Sequence, residues 1–477
     1  MNYGIVLKVL GSLLIVESIL MVPSYIIALV TSGKDKNAFL IAIILTMATG
    51  LILSFKKGIK AHIRARDGLA IVTFGWILSS IFGAIPLYMG GSTKTYIDAL
   101  FETVSGFTTT GATILSEVET LPMGTIFWRS FTHWIGGMGI LVFTLALLPA
   151  LGIEGFQIFK AESPGPVAGK IAPKLKDTAK ILYMTYLILT LIQIALLILG
   201  GMGIFDSLVH TFGTVGTGGL SSKNLSIGHY NSSYIHVIIG IFMMLSGINF
   251  SLYYGLYKGK GRLFFKDEEL RLYLAIIAVS VVAISLNLLA TSYERLSTAF
   301  RDSFFQVSSI ITTTGYSTVD FDMWPSFSKG ILFMLMFIGG SAGSTSGGIK
   351  VIRVLVWLKL IKREINKLFH PRAVIPIKVN GRVMPDETIA GINSFIALYI
   401  IIFIISSLLV ALEGVDLISA STSVAATLSN IGPGLEMVGP MRNFGDFSQI
   451  TKLLFISLML LGRLELFTMI ALFAPRT

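Results

Sequence analysis

The sequence contains no cysteine. That excludes disulfides, thiol catalysis and thiolate-held metals together. Charge is also scarce. Asp, Glu, Lys and Arg make up 13% of residues, about half the share of a soluble domain. Histidine occurs only six times. No His/Glu cluster has metal-site spacing, and no Ser-His-Asp arrangement is readable. The chain is therefore expected not to be an enzyme and to carry no cofactor of its own.

What fills the space is hydrophobicity, at 53% of 477 residues. A run of about 20 apolar residues spans a bilayer as a helix. The first run, Ile5 to Val30, is too long for a signal-peptide core and lacks a small-residue cleavage site, so it is read as a retained helix. Two leading helices are expected near Gly4–Val30 and Ala38–Phe55. One pattern then repeats four times: long apolar helix, short half-helix, polar turn, long apolar helix. The long helices fall near Gly68–Tyr88 and Thr125–Leu151, Thr178–Leu199 and Tyr234–Leu256, Glu269–Ala290 and Gly330–Leu360, and Glu387–Leu412 and Thr451–Phe473. The expected fold is an all-α polytopic membrane protein with ten crossings and four re-entrant segments. Its units are 1–66, 67–160, 161–265, 266–382 and 383–477.

The net charge of +11 does not point to nucleic acid, because the charges sort by side. Loops 56–66, 160–180, 258–271 and 350–382 hold 5, 5, 5 and 9 Lys or Arg. The alternate loops hold single ones such as Lys94, Lys223 and Arg442. The positive-inside rule then puts both termini in the cytoplasm and the polar turns outside. The basic loops read either as topology signals in contact with lipid headgroups or as docking sites for an acidic cytosolic partner.

The four polar turns carry the chemistry. They are Thr108-Thr109-Thr110-Gly111, Thr214-Val215-Gly216-Thr217-Gly218-Gly219, Thr312-Thr313-Thr314-Gly315 and Asn430-Ile431-Gly432-Pro433-Gly434. Aligned on Gly111, Gly216, Gly315 and Gly432, the turns are 105, 99 and 117 residues apart. Asp98, Phe101 and Ser105 precede Gly111 at the distances at which Asp302, Phe305 and Ser309 precede Gly315. Asp206 and Asp416 are expected to open the other two half-helices at shifted distances. Non-helical backbone at membrane depth must be buried in protein or line a watery cavity. Asp caps the outer end of a half-helix, and the inner end presents the negative end of the dipole to a cation. Glycine lets successive carbonyls point one way. Oxygen-only ligands suit a hard, weakly hydrated cation such as K+. The expected ligands are Thr109, Thr110, Gly111, Thr214, Val215, Gly216, Thr313, Thr314, Gly315, Asn430, Ile431 and Gly432. The unequal turns predict an only approximately fourfold pore.

A second feature is Gly339–Gly348, rich in Gly and Ser, which cannot form a stable helix interior. Gly340, Gly343, Ser344, Gly347 and Gly348, with Lys350 after them, read as a loop across the pore below the turns. Close helix packing of small residues is the alternative. A phosphate loop is not, since no Gly-Lys-Ser/Thr ending follows. Arg463, within the last helix, needs a cavity or a partner. It reads as a fixed positive charge facing that loop, or as a structural Arg bonded to helix-end carbonyls. His133 is expected to be hydrogen-bonded structure. Glu102, Asp320, Asp322 and Glu436 are expected around the outer mouth, solvated or capping.

The four turns, with Arg129-Ser130-Phe131-Thr132-His133-Trp134-Ile135-Gly136-Gly137-Met138-Gly139, the Gly339–Lys350 run and Gly462-Arg463-Leu464-Glu465, resemble the Trk/Ktr/HKT superfamily of cation transporters. The resemblance covers nearly the whole chain, and the two leading helices match its bacterial TrkH branch. It implies potassium permeation through a pseudo-fourfold pore in a bacterial inner membrane. It also implies a homodimer, and a cytosolic TrkA-type regulatory ring carrying the nucleotide (ATP/ADP or NAD). In plant relatives, Ser at the first filter glycine goes with sodium; here that position is Gly111. A secondary transporter coupling K+ to H+ or Na+ is the competing reading, but it predicts inverted repeats and intramembrane acids at the site.

Overall fold

The computed structural model describes residues 2–55, 64–139, 175–259 and 261–473. The leading hairpin is α1 (Tyr3–Leu20), α2 (Val22–Val30) and α3 (Lys36–Ser54). Pro23 in the first turn of α2 marks the break from α1. Gly11 of α1 and Gly50 of α3 lie against each other's backbone, so the two helices pack closely.

Four repeats follow. The first is α4 (Ala65–Met89), pore helix α5 (Tyr96–Phe107) and α6 (Met123–Gly137). The second is α7 (Leu175–Leu199), pore helix α8 (Ile204–Val215), α9 (Ser233–Ser246) and α10 (Phe250–Tyr257), with a short α11 (Gly261–Lys266) leading on. The third is α12 (Glu268–Thr291), pore helix α13 (Leu296–Ile311), α14 (Ser326–Ile338) and α15 (Val351–Phe369). An antiparallel hairpin of β1 (Lys378–Val379) and β2 (Arg382–Val383) comes next. Its turn residues Asn380 and Gly381 both have positive φ, 50° and 77°, as a two-residue hairpin turn requires. The fourth repeat is α16 (Asp386–Ala411), pore helix α17 (Leu417–Leu428), α18 (Gln449–Arg463) and α19 (Phe467–Phe473).

The helix–half-helix–helix order stands as expected, but the second long helix of every repeat is broken. The helix expected over Thr125–Leu151 ends at Gly137. Residues 140–174, with Lys160, Lys170 and Lys174, lie outside the described residues, as do Lys56, Lys57, Lys60 and Lys260. The helix expected over Tyr234–Leu256 bends by 93° between α9 and α10. In repeat three the chain leaves the helix from Gly339 to Lys350, and in repeat four at Leu464 to Leu466. Among the described residues six helices alone are long and apolar enough to cross a membrane, and the bent pair makes a seventh. The breaks release carbonyls inside the protein, and side chains satisfy them. Tyr186 donates to Trp134 O at 2.9 Å, Tyr273 to Met244 O at 3.0 Å and Tyr253 to Leu245 O at 2.7 Å.

The pore helices lie inside the surrounding long helices. In α5 every residue from Asp98 to Phe107 except Leu100 is buried. Hydroxyls in these helices bond one turn back, as Thr103 does to Ala99 O at 2.9 Å. Such a helix carries polar side chains into the core without stranding them.

Candidate functional site

Each pore helix ends in the same way. Two residues past its last turn, an N–H bonds back five residues: Thr110 to Ser105 O at 2.9 Å, Gly218 to Gly213 O at 2.7 Å, Thr314 to Ser309 O at 2.9 Å and Ile431 to Ala426 O at 2.8 Å. This is the Schellman ending, which needs a left-handed residue, usually Gly, just before that N–H. Here the left-handed residues are Thr109, Thr217, Thr313 and Asn430, with φ of 56°, 55°, 57° and 58°. A β-branched residue in that region is strained, and the strain recurs in register. Two residues on come glycines at positive φ: Gly111 at 79°, Gly219 at 78°, Gly315 at 84° and Gly432 at 103°.

Repeat two is thus read three residues further along than the sequence suggested. Gly219, not Gly216, stands with Gly111, Gly315 and Gly432. The reason is helix length: α8 runs through Thr214 and Val215, and Gly216 is its C-cap. The Val215 side chain packs in an apolar cluster with Tyr186, Phe242 and Phe250. In the corrected register Asp206 precedes Gly219 by 13 residues, the separation of Asp98 from Gly111 and of Asp302 from Gly315.

The four turns close a ring. A Cβ on Gly111 would overlap the carbonyl oxygen of Gly218, one on Gly219 that of Thr314, and one on Gly315 that of Ile431. A Cβ on Gly432 would stand 2.8 Å from Thr110 O. One carbonyl per repeat, from Thr110, Gly218, Thr314 and Ile431, therefore meets the preceding repeat's glycine in cyclic order. The looser fourth contact and the larger φ of Gly432 make the symmetry approximate. All four glycines line an outer vestibule of about 120 Å³. No side-chain carboxylate belongs to the ring. Its donor set is backbone oxygen, with hydroxyls behind: Thr108 and Thr110 Oγ1 are 2.8 Å apart, and so are Thr312 and Thr314 Oγ1.

The Gly-rich segment lies under this ring. Its ends are tied by Ile349 N–H to Phe337 O at 3.0 Å and Lys350 N–H to Ile338 O at 2.8 Å, which makes it a closed loop. Gly339, Gly343 and Gly348 have φ of 75°, 72° and 75°, and Lys350 of 80°. Lys350 is buried, with its Nζ on Ser346 O, and Ser344 Oγ donates to Ser341 O at 2.6 Å. Gly340 packs against Gly247 O. The loop touches the pore-helix ends or turns of three repeats directly. Gly347 N–H donates to Thr313 Oγ1 at 2.6 Å, Thr345 Oγ1 to Val215 O at 3.1 Å, and Gly347 abuts Ser429 O. Arg463 adds the fourth. It donates to Thr345 O in the loop at 2.8 Å and to Thr109 Oγ1 in the first filter segment at 3.2 Å. It also donates to Gly136 O at 2.5 Å and Gly137 O at 2.9 Å, the last carbonyls of α6. Both sequence readings of Arg463 thus find contacts: it faces the loop, and it caps a broken helix.

The family model described as TrkH, cation transport protein, matches residues 35–476. The chain belongs to the TrkH family of cation transport proteins. It is 38% identical to the Trk system potassium uptake protein TrkH of Salmonella typhimurium over 100% of this chain and 99% of that protein. It is 36% identical to the TrkG protein of Escherichia coli over 98% and 97%. The crystal structure of the potassium transporter TrkH from Vibrio parahaemolyticus superposes with a TM-score of 0.90 at 35% identity, covering 100% of this chain and 99% of that one.

Around the ring of this TrkH-family chain, neighbouring repeats are cross-linked by His133 and Tyr316, which the sequence reading did not assign to the site, and by Asn430, which it did. His133 is buried between repeats one and two. Leu220 N–H donates to its Nε2 at 3.2 Å, so the proton sits on Nδ1, which donates to Gly106 O at 2.8 Å. The ring is neutral and structural, as expected. Tyr316 of repeat three donates toward Leu220 O and His210 O of repeat two, at 3.2 Å each. Asn430 Nδ2 closes repeat four onto repeat one through Thr110 Oγ1 at 2.9 Å. Of the two unassigned residues, Tyr316 had a signal in the sequence, following Gly315 directly.

The acids depart from expectation in part: Asp320 caps a short helix and Glu436 is partly exposed, as expected, but Glu102 is not. Glu102 is not at a wet mouth: it is buried, paired with Arg129 at 2.9 Å, and accepts from Thr113 Oγ1 at 2.6 Å and Ile114 N–H at 2.7 Å. Asp322 and Glu436 share Lys329, at 3.6 and 3.9 Å, and Asp320 accepts from Asp322 N–H. Asp416 alone caps a pore helix, accepting from Ser419 N–H at 2.9 Å. The bonds from Ser419 hold its carboxyl below the usual range. Asp98 and Asp206 sit in the first turn instead, and Asp302 lies within α13, which begins at Leu296.

Proposed function

We propose that the chain conducts potassium passively and selectively through the ring of carbonyls from Thr110, Gly218, Thr314 and Ile431. The observation that carries this reading is the cyclic closure of four equivalent turns, one from each repeat. Four pore helices point their negative ends at it. The named relatives are potassium uptake proteins. The ligand set is Thr109, Thr110 and Gly111; Thr217, Gly218 and Gly219; Thr313, Thr314 and Gly315; and Asn430, Ile431 and Gly432.

The loop from Gly339 to Lys350 is the gate, and Arg463 is its fixed charge. A loop in contact with the pore-helix ends or turns of all four repeats, directly or through Arg463, blocks the axis, and a guanidinium there repels cations. A homodimer in a bacterial inner membrane, with both termini cytoplasmic and lipid around it, completes the assembly. A cytosolic TrkA-type ring that binds ATP/ADP or NAD moves the loop.

Reversal potentials in liposomes test the reading, with potassium, sodium and proton gradients varied one at a time. A potential that follows the potassium gradient alone supports the channel. One that moves with the proton or sodium gradient at fixed potassium establishes coupled transport instead.

A further inference from the structure

Three successive acids begin α12: two are bonded to the 378–383 hairpin and the third to the Gly-rich loop. Glu269 is buried, and one of its carboxylate oxygens accepts from both Ala342 N–H at 2.7 Å and Ile352 N–H at 3.1 Å. The first lies within the Gly-rich loop, and the second is in the first turn of α15, just past its end. Asp267 caps α12 through Leu270 N–H at 2.8 Å and accepts from Asn380 Nδ2 at 2.7 Å. Glu268 accepts from Asn380 N–H at 3.0 Å, while its own N–H donates to Asn380 Oδ1 at 2.9 Å. Lys359 of α15 bonds both Glu268 and Lys378 O of the hairpin.

We propose that Asp267-Glu268-Glu269 is a rigid link that transmits the position of the 378–383 hairpin to the gate loop. Glu269 acts as the positioning residue that holds the loop shut. The argument is mechanical. Three consecutive residues at a helix start move together, because the helix backbone fixes their spacing. Asn380 grips two of them at the hairpin's turn, and the third holds the loop at Ala342 to the start of α15 at Ile352. A displacement of the turn therefore pulls the acceptor that Ala342 of the loop and Ile352 of α15 share. Both N–H groups donate to one buried carboxyl oxygen, and losing it would leave both unpaired. The hairpin tip is exposed: Asn380, Gly381 and Arg382 all face solvent. It is the place where a cytosolic partner with acidic groups can apply force.

The proposal rests on the loop being the gate, so its test reads loop position separately from flux. The absence of native cysteine allows Ser344→Cys as a single reporter. Its labelling by a water-soluble thiol reagent is measured in liposomes, along with rubidium flux in the same vesicles. Glu269→Ala is expected to speed labelling about tenfold, from the loss of two buried bonds. Glu269→Gln keeps an acceptor oxygen and is expected to stay within about twofold. Asn380→Gly keeps the left-handed turn but removes the grip on Asp267, and is expected to speed labelling about threefold. Monodisperse Glu269→Ala or Asn380→Gly protein that labels at the parent rate overturns the link. Faster labelling with unchanged rubidium flux upholds the link and overturns the gate.

Discussion

Replacing Gly219 by Ala perturbs the ring at a position that the linear sequence disguised. The added methyl costs twice. Gly219 has φ of 78°, and an L-residue in that region costs about 1 kcal/mol or more. The methyl also falls on Thr314 O, one of the four ring oxygens, which must retreat by roughly an ångström to reach ordinary contact distance. The first cost is paid by the folded state as a whole. The second removes a ligand in one direction only, so it discriminates between ions. At about 1.4 kcal/mol for a misplaced oxygen, the preference for potassium over sodium falls about tenfold. In bi-ionic liposomes that is a reversal-potential shift of roughly 59 mV. The control is Val215→Ala. Its side chain sits in the Tyr186–Phe242–Phe250 cluster, so the variant is expected to lose about 1 kcal/mol of stability and to keep the parent reversal potential. A Gly219→Ala channel with parent selectivity, or a Val215→Ala channel with an equal shift, refutes the ring as drawn.

Four further outcomes are expected. Gly315→Ser, whose side chain meets Ile431 O, lowers potassium selectivity in the same assay; parent-like ion ratios would count against the carbonyl ring. Arg463→Ala removes the charge at Thr345 O and Thr109 Oγ1 and raises partner-free flux several-fold, on the scale of a buried charged hydrogen bond of about 1.5 kcal/mol or more. A fall in flux assigns the residue to capping α6 alone. Deleting part of Gly340–Gly347 leaves the pore open without the partner, and a folded but silent deletion would refute the gate. Arg129→Leu strands the buried Glu102 carboxylate and lowers thermal stability by about 3 kcal/mol or more; the melting curve in detergent checks it.

The periodic apolar runs and the charge bias made the architecture legible, because a bilayer leaves so few solutions. The turns of repeats one and three were legible for the same reason: Thr-Thr-Thr-Gly admits one register. Repeat two was not, since Gly216 and Gly219 both follow a Thr-containing segment and only the end of α8 decides between them. The 13-residue spacing from Asp206 carried the answer. The breaks in the second helices were mostly hidden. Gly339–Gly348 announces itself by composition. Glu465 and Leu466, at φ of 54° and 39°, carry no local signal, because packing rather than propensity holds them there. The Glu102–Arg129 pair was hidden too, since a 27-residue separation says nothing of contact.

The ring has a beginning and an end in time. Its last contact joins Asn430 to Thr110, 320 residues apart in the chain. At a synthesis rate of about 10 residues per second, the first quarter waits roughly half a minute for the fourth. Until then Thr109 and Thr110 lack the Arg463 and Asn430 side chains that bond them in the finished fold, and the nascent pore is a three-sided trough. A nascent chain cut short before Gly432 would therefore insert its helices and still enclose no axis. Such an unfinished product threatens the membrane as exposed polar backbone rather than as a leak of defined selectivity.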